Sequence, residues 1–417
     1  MDAAKTVPKL LRYEAEVPKD FSGFDPKTFA EGVWEWADSR IGRRGKAAVS
    51  VSGGVDSTTV AYLLKPLGNR LYPFFIDDGL RRTIRGVPEA DVTAAMFRDF
   101  PNFEVLRTAD VTLPALEGLR DGRRKREAMI GTYVGASNAH IEAIGANFVA
   151  DGTIKPDIET TASGRQRQHN LNLPYGATKI EPVAPLYKPH VRRLGMHLGL
   201  PSEFAHKIPC PGPAMLLRVG GEFTRKKLEV ARTATDVFEQ AVETLMLAET
   251  GATYKFDSKT GIRTPFQYFA YVLGKGSDEI DAVPGVLPRN SPSAICYRTH
   301  TQAMWIDPSV GRQRGELYAP VLWVSCEAGI PDYEMLDAMR AEADKHDYPR
   351  MVIELANGGD GFPVVFKCVQ SADAMTATTM KLDQDYLSAV AGMVAENYRC
   401  PVGCEISRKP RATIELF

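Results

Sequence analysis

Lys46 to Asp78 reads KAAVSVSGGVDSTTVAYLLKPLGNRLYPFFIDD, and its centre is Ser52-Gly53-Gly54-Val55-Asp56-Ser57. Ala47 to Val51 is a short apolar, β-branched run, the pattern of a strand buried on both faces of a parallel sheet. Thr58 to Leu64 reads as a helix and Leu71 to Ile76 as the next buried strand. A Ser/Gly-rich turn therefore leaves the carboxyl end of a strand and opens a helix, which is where an open α/β sheet takes its ligand. Two glycines let the main chain approach an anion, and successive N–H groups at a helix start add donors and the positive end of the dipole. Ser52 and Ser57 supply hydroxyl donors, and Asp56 is placed to hold a metal ion or to cap the helix. Ordinary turns also select Gly and Ser, but these six residues in order between a buried strand and a helix point to phosphate binding. The Walker pattern, in which a lysine follows the glycines, is absent.

The 417 residues are enough for two or three domains. With 44% hydrophobic and 25% charged residues, the chain has the composition of a soluble globular protein. A formal net charge of -1 gives no reason to expect nucleic acid or a membrane surface as a partner. No apolar run is long enough to span a bilayer, and the first residues do not read as a signal peptide. Six cysteines in so long a chain fit a reducing cytoplasm better than a disulfide framework.

Residues 1 to about 25 are polar and punctuated by proline, the pattern of an extended arm. Phe29 to Ile41 carries apolar residues at helical spacing. Asp77 and Asp78 end the second strand, where a carboxylate can meet a ribose hydroxyl or Mg²⁺ or simply sit in a solvated turn. Residues 121 to 128 (DGRRKREA) are a basic run opening a helix that continues to Ile144, most simply a solvated face. Asn147 to Ala150 is another buried strand, running into a second Gly/Thr/Asp turn at Asp151 to Glu159. Ser163 to Gln168 reads as a mobile loop, Lys188 to Leu198 as a helix, and 206 to 213 is too rich in proline for regular structure. A helix from about Thr224 to Ala248 leads into a second half of different character. There aromatic strands such as Phe266 to Val272, helices at Tyr333 to Asp347 and Leu382 to Asn397, and strands at Val364 to Val369 and Ala412 to Leu416 predict an α+β domain built on antiparallel pairs. Cys400 and Cys404, with Cys326 and Cys368, read as reduced core thiols rather than zinc ligands.

Several stretches together resemble the ATP pyrophosphatase and dimerisation domains of GMP synthetase, within the pyrophosphatase-loop (PP-loop) ATPase superfamily. The loop is Ser52 to Ser57, and a VDNGL-like strand end is Ile76 to Leu80. A QGTxxPDxxES-like segment runs from Asp151 to Thr160, with Asp151 in place of glutamine. The PLxKxxVRxLGxxLGLP helix is nearly intact from Pro185 to Pro201, CPGPAMLLRVGGEFT (Cys210 to Thr224) is similar to FPGPGLxxRVxGExT, and Lys409 to Glu415 is similar to the KPPATIE tail. The matches cover about residues 27 to 245 and 362 to 417. The resemblance implies an arm at 1–25, an ATP pyrophosphatase domain at 26–222 and a dimerisation domain at 223–417 with an insertion at about 250–350. The expected fold is a doubly wound, mainly parallel α/β sheet followed by an α+β domain.

The same resemblance implies ATP and Mg²⁺ as cofactors, adenylation of a purine carbonyl oxygen, and displacement of AMP by ammonia. Carried over position by position, Ser52, Gly53, Gly54, Val55, Asp56, Ser57, Asp78 and Gly152 would hold ATP. Asp56 and Asp157 would hold the metal. Glu159, Arg165, Arg167, His169, Lys409, Thr413 and Glu415 would face a purine-like substrate. No stretch matches the family's glutaminase domain, so ammonia is expected from a separate subunit or from solution, and a homodimer is expected through the C-terminal half. The lid motif KSHHNVGGLP appears as Gln166 to Pro174 without its lysine; Arg165 or Arg167 stands in for that charge, though the two side chains bind phosphate differently. Cys210 replaces an aromatic residue, which opens an alternative: thiolation of a purine-like substrate, with Cys210 carrying sulfur or acting as the nucleophile. A small residue filling a Pro-rich loop is the plainer account of the same cysteine.

Overall fold

The computed structural model describes residues 10–18, 21–162, 175–210, 212–257, 261–274, 279–281, 293–307, 312–326, 329–346, 348–371 and 376–409. In the first half, six strands form an all-parallel sheet in the order Leu10–Arg12, Thr178–Glu181, Phe148–Ala150, Ala47–Ser50, Leu71–Asp77, Glu104–Arg107. From Ala47–Ser50 the chain winds outward through Leu71–Asp77 to Glu104–Arg107, then returns to build the other side. Ala47–Ser50 is therefore the switch point of the sheet, and its carboxyl end opens a crevice.

Both faces of that strand are covered, which is why it reads as a continuous apolar run. Ala47 and Val49 pack with Val33, Ala37, Val60, Val191 and Leu194, from the helices Pro26–Ile41, Val55–Leu63 and Lys188–His197. Ala48 faces the opposite way, to Phe74, Ile76 and Ile141, the last from the helix Gly122–Ala143. Local signals set the helix starts. The Asp25 carboxylate accepts from Lys27 N at 3.1 Å with Pro26 in the first turn, and Asp121 accepts from Arg124 N at 2.9 Å. The basic run 121–128 is not wholly a solvated face. Lys125 is fully buried, and its Nζ donates to Val219 O at 2.9 Å and Gly221 O at 2.5 Å.

The second half carries an eight-stranded sheet in the order Gln267–Val272, Val364–Gln370, Ala377–Thr379, Pro401–Lys409, Arg350–Asn357, Arg312–Ser325, Ser293–Asp307, Glu279–Asp281. It is mixed rather than purely antiparallel: Arg312–Ser325 with Arg350–Asn357, and Val364–Gln370 with Pro401–Lys409, run parallel. The expected helices lie at Arg225–Thr250, Tyr333–Lys345 and Gln384–Tyr398. Phe238 of the long helix stacks on Phe366 of the sheet with centroids 4.3 Å apart. The strand predicted at Ala412 to Leu416 and the loop at Ser163 to Gln168 lie outside the described residues. Cys368, Cys400 and Cys404 are buried free thiols; burial pushes Cys400 up to about 11 and Cys404 up to about 12, as suits inert core sulfur. Among the described residues no helix is long and apolar enough to cross a membrane.

Candidate active site

The Ser52–Ser57 loop closes on itself before it meets any ligand. Ser57 Oγ accepts from Ser52 N at 3.0 Å and lies 3.1 Å from Ser52 Oγ, while Gly54 N donates to Ser52 Oγ at 3.3 Å. Gly53 has φ +77°, a conformation that favours glycine. Gly54 precedes the helix Val55–Leu63 in extended geometry, and no side chain caps that helix start. Its first N–H groups are thus presented to an anion along with the dipole. Behind the loop, a Cβ on Gly152 would stand 2.6 Å from Ser57 N and 2.9 Å from the Asp56 carbonyl carbon. The two strand-end turns are therefore packed backbone to backbone, which only glycine permits.

This loop forms one wall of a solvent-open cleft. Ser52, Asp56, Ser57 and Gly152 line it, as do Ser50, Arg81, Tyr133 and Asp151. Tyr133 Oη is hydrogen-bonded to Ser50 Oγ, and burial raises the phenol's pKa. Asp151, standing where the family pattern has glutamine, is tied to Lys179 Nζ at 3.0 Å. Lys179 also reaches Glu181 at 3.1 Å, and Glu181 meets Arg12 of the edge strand at 2.6 Å. Burial pushes the Asp151 carboxyl up, and Lys179 offsets only part of that rise.

Asp56 is the carboxylate with an oxygen to spare. Its Oδ2 pairs with Lys188 Nζ at 2.6 Å, but its buried Oδ1 has no hydrogen-bond partner among the described residues. Asp157 lies in the first turn of the helix Lys155–Ala162; burial raises its pKa, and the neighbouring Asp56 charge raises it further. Its Oδ2 accepts from Ile154 N at 3.1 Å. An unsatisfied carboxylate oxygen beside a second, charge-strained carboxylate fits a divalent cation. Among the described residues no group of three or more His, Cys, Asp or Glu converges as a metal site. A cation here would complete its shell from water and from the phosphates it accompanies.

The other sequence-predicted residues are placed as follows. Asp78 is buried behind the cleft wall, where its carboxylate accepts from Leu80 N and Arg81 Nη2, each at 3.0 Å. It shapes the turn and does not line the cleft. Glu159 is exposed, with Oε1 accepting from Tyr187 Oη at 3.2 Å. Cys210 is half-buried beside the lining residues Gly212 and Pro213, and it interacts electrostatically with Arg81, Arg82 and Lys207. Lys409 ends the strand Pro401–Lys409. Arg165, Arg167, His169, Thr413 and Glu415 lie outside the described residues. His206, beside a matched loop, has its Nδ1 2.8 Å from Ser202 O and does not reach the cleft. Lys188, Tyr133 and Arg81 were not singled out from the sequence. Lys188 opens the quoted PLxKxxVR helix, so a signal existed for it, whereas Tyr133 lies inside a helix without motif character.

No family model matches the chain. Similar proteins are each named as a subunit of glutamine-hydrolyzing GMP synthase. The one from Sulfurisphaera tokodaii is 27% identical over 406 residues, spanning 94% of this chain and 99% of that protein. The one from Methanothermobacter thermautotrophicus is 32% identical over 272 residues, 63% of this chain and 87% of that protein. The one from Methanocaldococcus jannaschii is 35% identical over 255 residues, 60% of this chain and 76% of that protein. Among solved structures, NMN synthetase from Francisella tularensis overlaps 46% of this chain and 78% of its own, with 18% identity and a TM-score of 0.36.

Proposed function

This chain belongs to that family of glutamine-hydrolyzing GMP synthase subunits, and from the membership we propose that it uses ATP to aminate xanthosine monophosphate (XMP) to GMP. The oxygen on the purine C2 is a poor leaving group. Its attack on the α-phosphorus of ATP releases pyrophosphate and leaves the oxygen as part of AMP; ammonia then adds at C2 and AMP departs. The observation that supports this reading most directly is the uncapped, self-hydrogen-bonded Ser52–Ser57 loop with Asp56 Oδ1 beside it, unpaired among the described residues.

In this reading the residues divide the work as follows. Ser52, Gly53, Gly54, Val55 and Ser57 cradle the β- and γ-phosphates, and Gly152 lets the loop close to its proper depth. Asp56 and Asp157 hold Mg²⁺, which when bound supplies charge neutralisation on the departing pyrophosphate. Lys188 orients the Asp56 carboxylate through its ion pair. Glu159 and Lys409, with Arg165, Arg167, His169, Thr413 and Glu415, contact the purine nucleotide. A separate glutamine amidotransferase subunit supplies the ammonia, and the C-terminal half, 223–417, pairs two copies in the cytoplasm.

The deciding experiment mixes the protein with Mg-ATP, XMP and ammonium chloride and follows pyrophosphate and nucleotide mass. The expected result is GMP with one AMP and one pyrophosphate per turnover. Protein that binds ATP yet releases no pyrophosphate with XMP would overturn the proposed acceptor.

A further inference from the structure

The turn after Leu71–Asp77 sets a guanidinium into the cleft wall. Arg81 lines the same cleft as Ser52, Asp56 and Ser57, yet it is only 7% exposed. Its Nε donates to Ile76 O at 3.1 Å and its Nη2 to Asp78 Oδ2 at 3.0 Å, and its plane lies over the Phe75 ring, 5.4 Å from the centroid. Nη1 has no hydrogen-bond partner among the described residues. Phe75 also stands 3.5 Å from where a Cβ on Gly53 would be, so one ring separates Arg81 from the loop. The main chain around it is held from the helix Arg225–Thr250 and from the turn at Ala214–Arg218. Arg232 Nε donates to Arg81 O at 2.9 Å and its Nη2 to Gly79 O at 2.5 Å, while Met215 N donates to Leu80 O at 3.1 Å. The side chain is thus fixed along one edge of its fork, with the other edge left over. Two other charged lining residues are carboxylates, Asp56 and Asp151. An anion entering between them needs a cation already in place, and a guanidinium held rigid loses little entropy when it binds one.

We propose that Arg81 is a phosphate-binding residue of this cleft, donating from Nη1 to a phosphoryl oxygen of ATP. The proposal rests on the reading of Ser52–Ser57 as an ATP site. The test compares ATP with adenosine, which lacks the phosphates, by titration calorimetry on wild type, Arg81→Gln and Arg81→Lys, each checked by thermal melting. Arg81→Gln should weaken ATP by about ten- to a hundredfold, the loss of a hydrogen bond to a charged group, with adenosine unchanged. Arg81→Lys keeps a cation for Asp78 but not the fork, and should fall between the two. Parallel losses for ATP and adenosine would mean that Arg81 only shapes the turn, and unchanged ATP affinity would overturn the proposal outright. Should Arg81→Gln fail to fold, the same comparison in Arg81→Lys decides the matter. Wild-type protein that binds no ATP would instead bring down the ATP reading itself.

Discussion

Gly152→Ala is the most economical way to disturb the site without touching a group that bears charge or donates to ligand. The added methyl would sit 2.6 Å from Ser57 N, 2.9 Å from the Asp56 carbonyl carbon and 3.0 Å from Ser57 Cα. Comfortable contact between heavy atoms needs roughly 3.5 Å, so about 1 Å of separation must be found. All three neighbours are backbone, so no side chain can swing away; the first turn of Val55–Leu63 or the Asp151 turn has to retreat. Overpacking of this kind costs about 1–3 kcal/mol of stability. A displacement of about 1 Å in a positioned reactive group costs on the order of a hundredfold in rate. Pyrophosphate release at saturating Mg-ATP, XMP and ammonium, alongside a melting curve, would measure both effects. A Gly152→Ala protein that melts like wild type and turns over within about threefold of it would refute the claim that backbone contact sets the depth of the loop.

Asp56→Asn keeps the shape of the side chain but removes the charge that Lys188 and a divalent cation share, so activity should fall about a hundredfold or more and the Mg²⁺ requirement should rise; unaltered magnesium dependence would remove Asp56 from the metal site. Cys210→Ser should leave GMP formation nearly intact, since ammonia needs no protein nucleophile; loss of turnover with ATP binding preserved would favour the sulfur-carrying alternative. Glu405 is fully buried, and although burial alone would raise its pKa, Arg350 and Lys367 hold it down to about 2. A depressed carboxylate stabilises the fold above its ordinary value of 4.5, and that contribution is lost as pH falls towards about 2. Denaturant midpoints should therefore drop more steeply across that window in wild type than in Glu405→Gln, where Glu89 and Glu181 still titrate from depressed values, and the variant should already be about 3–5 kcal/mol weaker at pH 7 because two buried cations lose their carboxylate. Equal midpoints for the two proteins at pH 7 would contradict this account.

The strand–turn–helix at Ala47 to Leu63 was legible because every local signal agreed: a β-branched run, glycines at the turn, and an unbroken apolar helical stretch beyond. The helix opened by the run at Asp121 was readable as well, whereas the helix read from Phe29 starts earlier, at Pro26 behind the Asp25 cap. The strand Pro401–Lys409 was not, since Pro401, Gly403 and Glu405 argue against a buried central strand. What makes it one is remote: Glu405 accepts from Arg350, Lys367 and Tyr271, three residues far off in the chain. Lys125 was hidden in the same way, its charge answered by carbonyls of Val219 and Gly221 rather than by water. Arg81 sat next to a quoted motif and Asp151 opened one, but their place in the cleft follows from Asp78, Arg232 and Lys179, partners that no spacing announces.

The long helix Arg225–Thr250 grips the turn that carries Arg81. Besides Arg232, Asp236 accepts from Arg85 N at 2.7 Å and Gly86 N at 2.8 Å, and Glu239 meets Arg82 at 3.2 Å. The nucleotide-binding half is consequently not a portable cassette. Cut after residue 222 and grafted elsewhere, it would keep its sheet and its glycine loop but lose the clamp on one lip of its own cleft. Anyone seeking to transplant the ATP chemistry of this chain would have to carry the helix with it, or build a new one in its place.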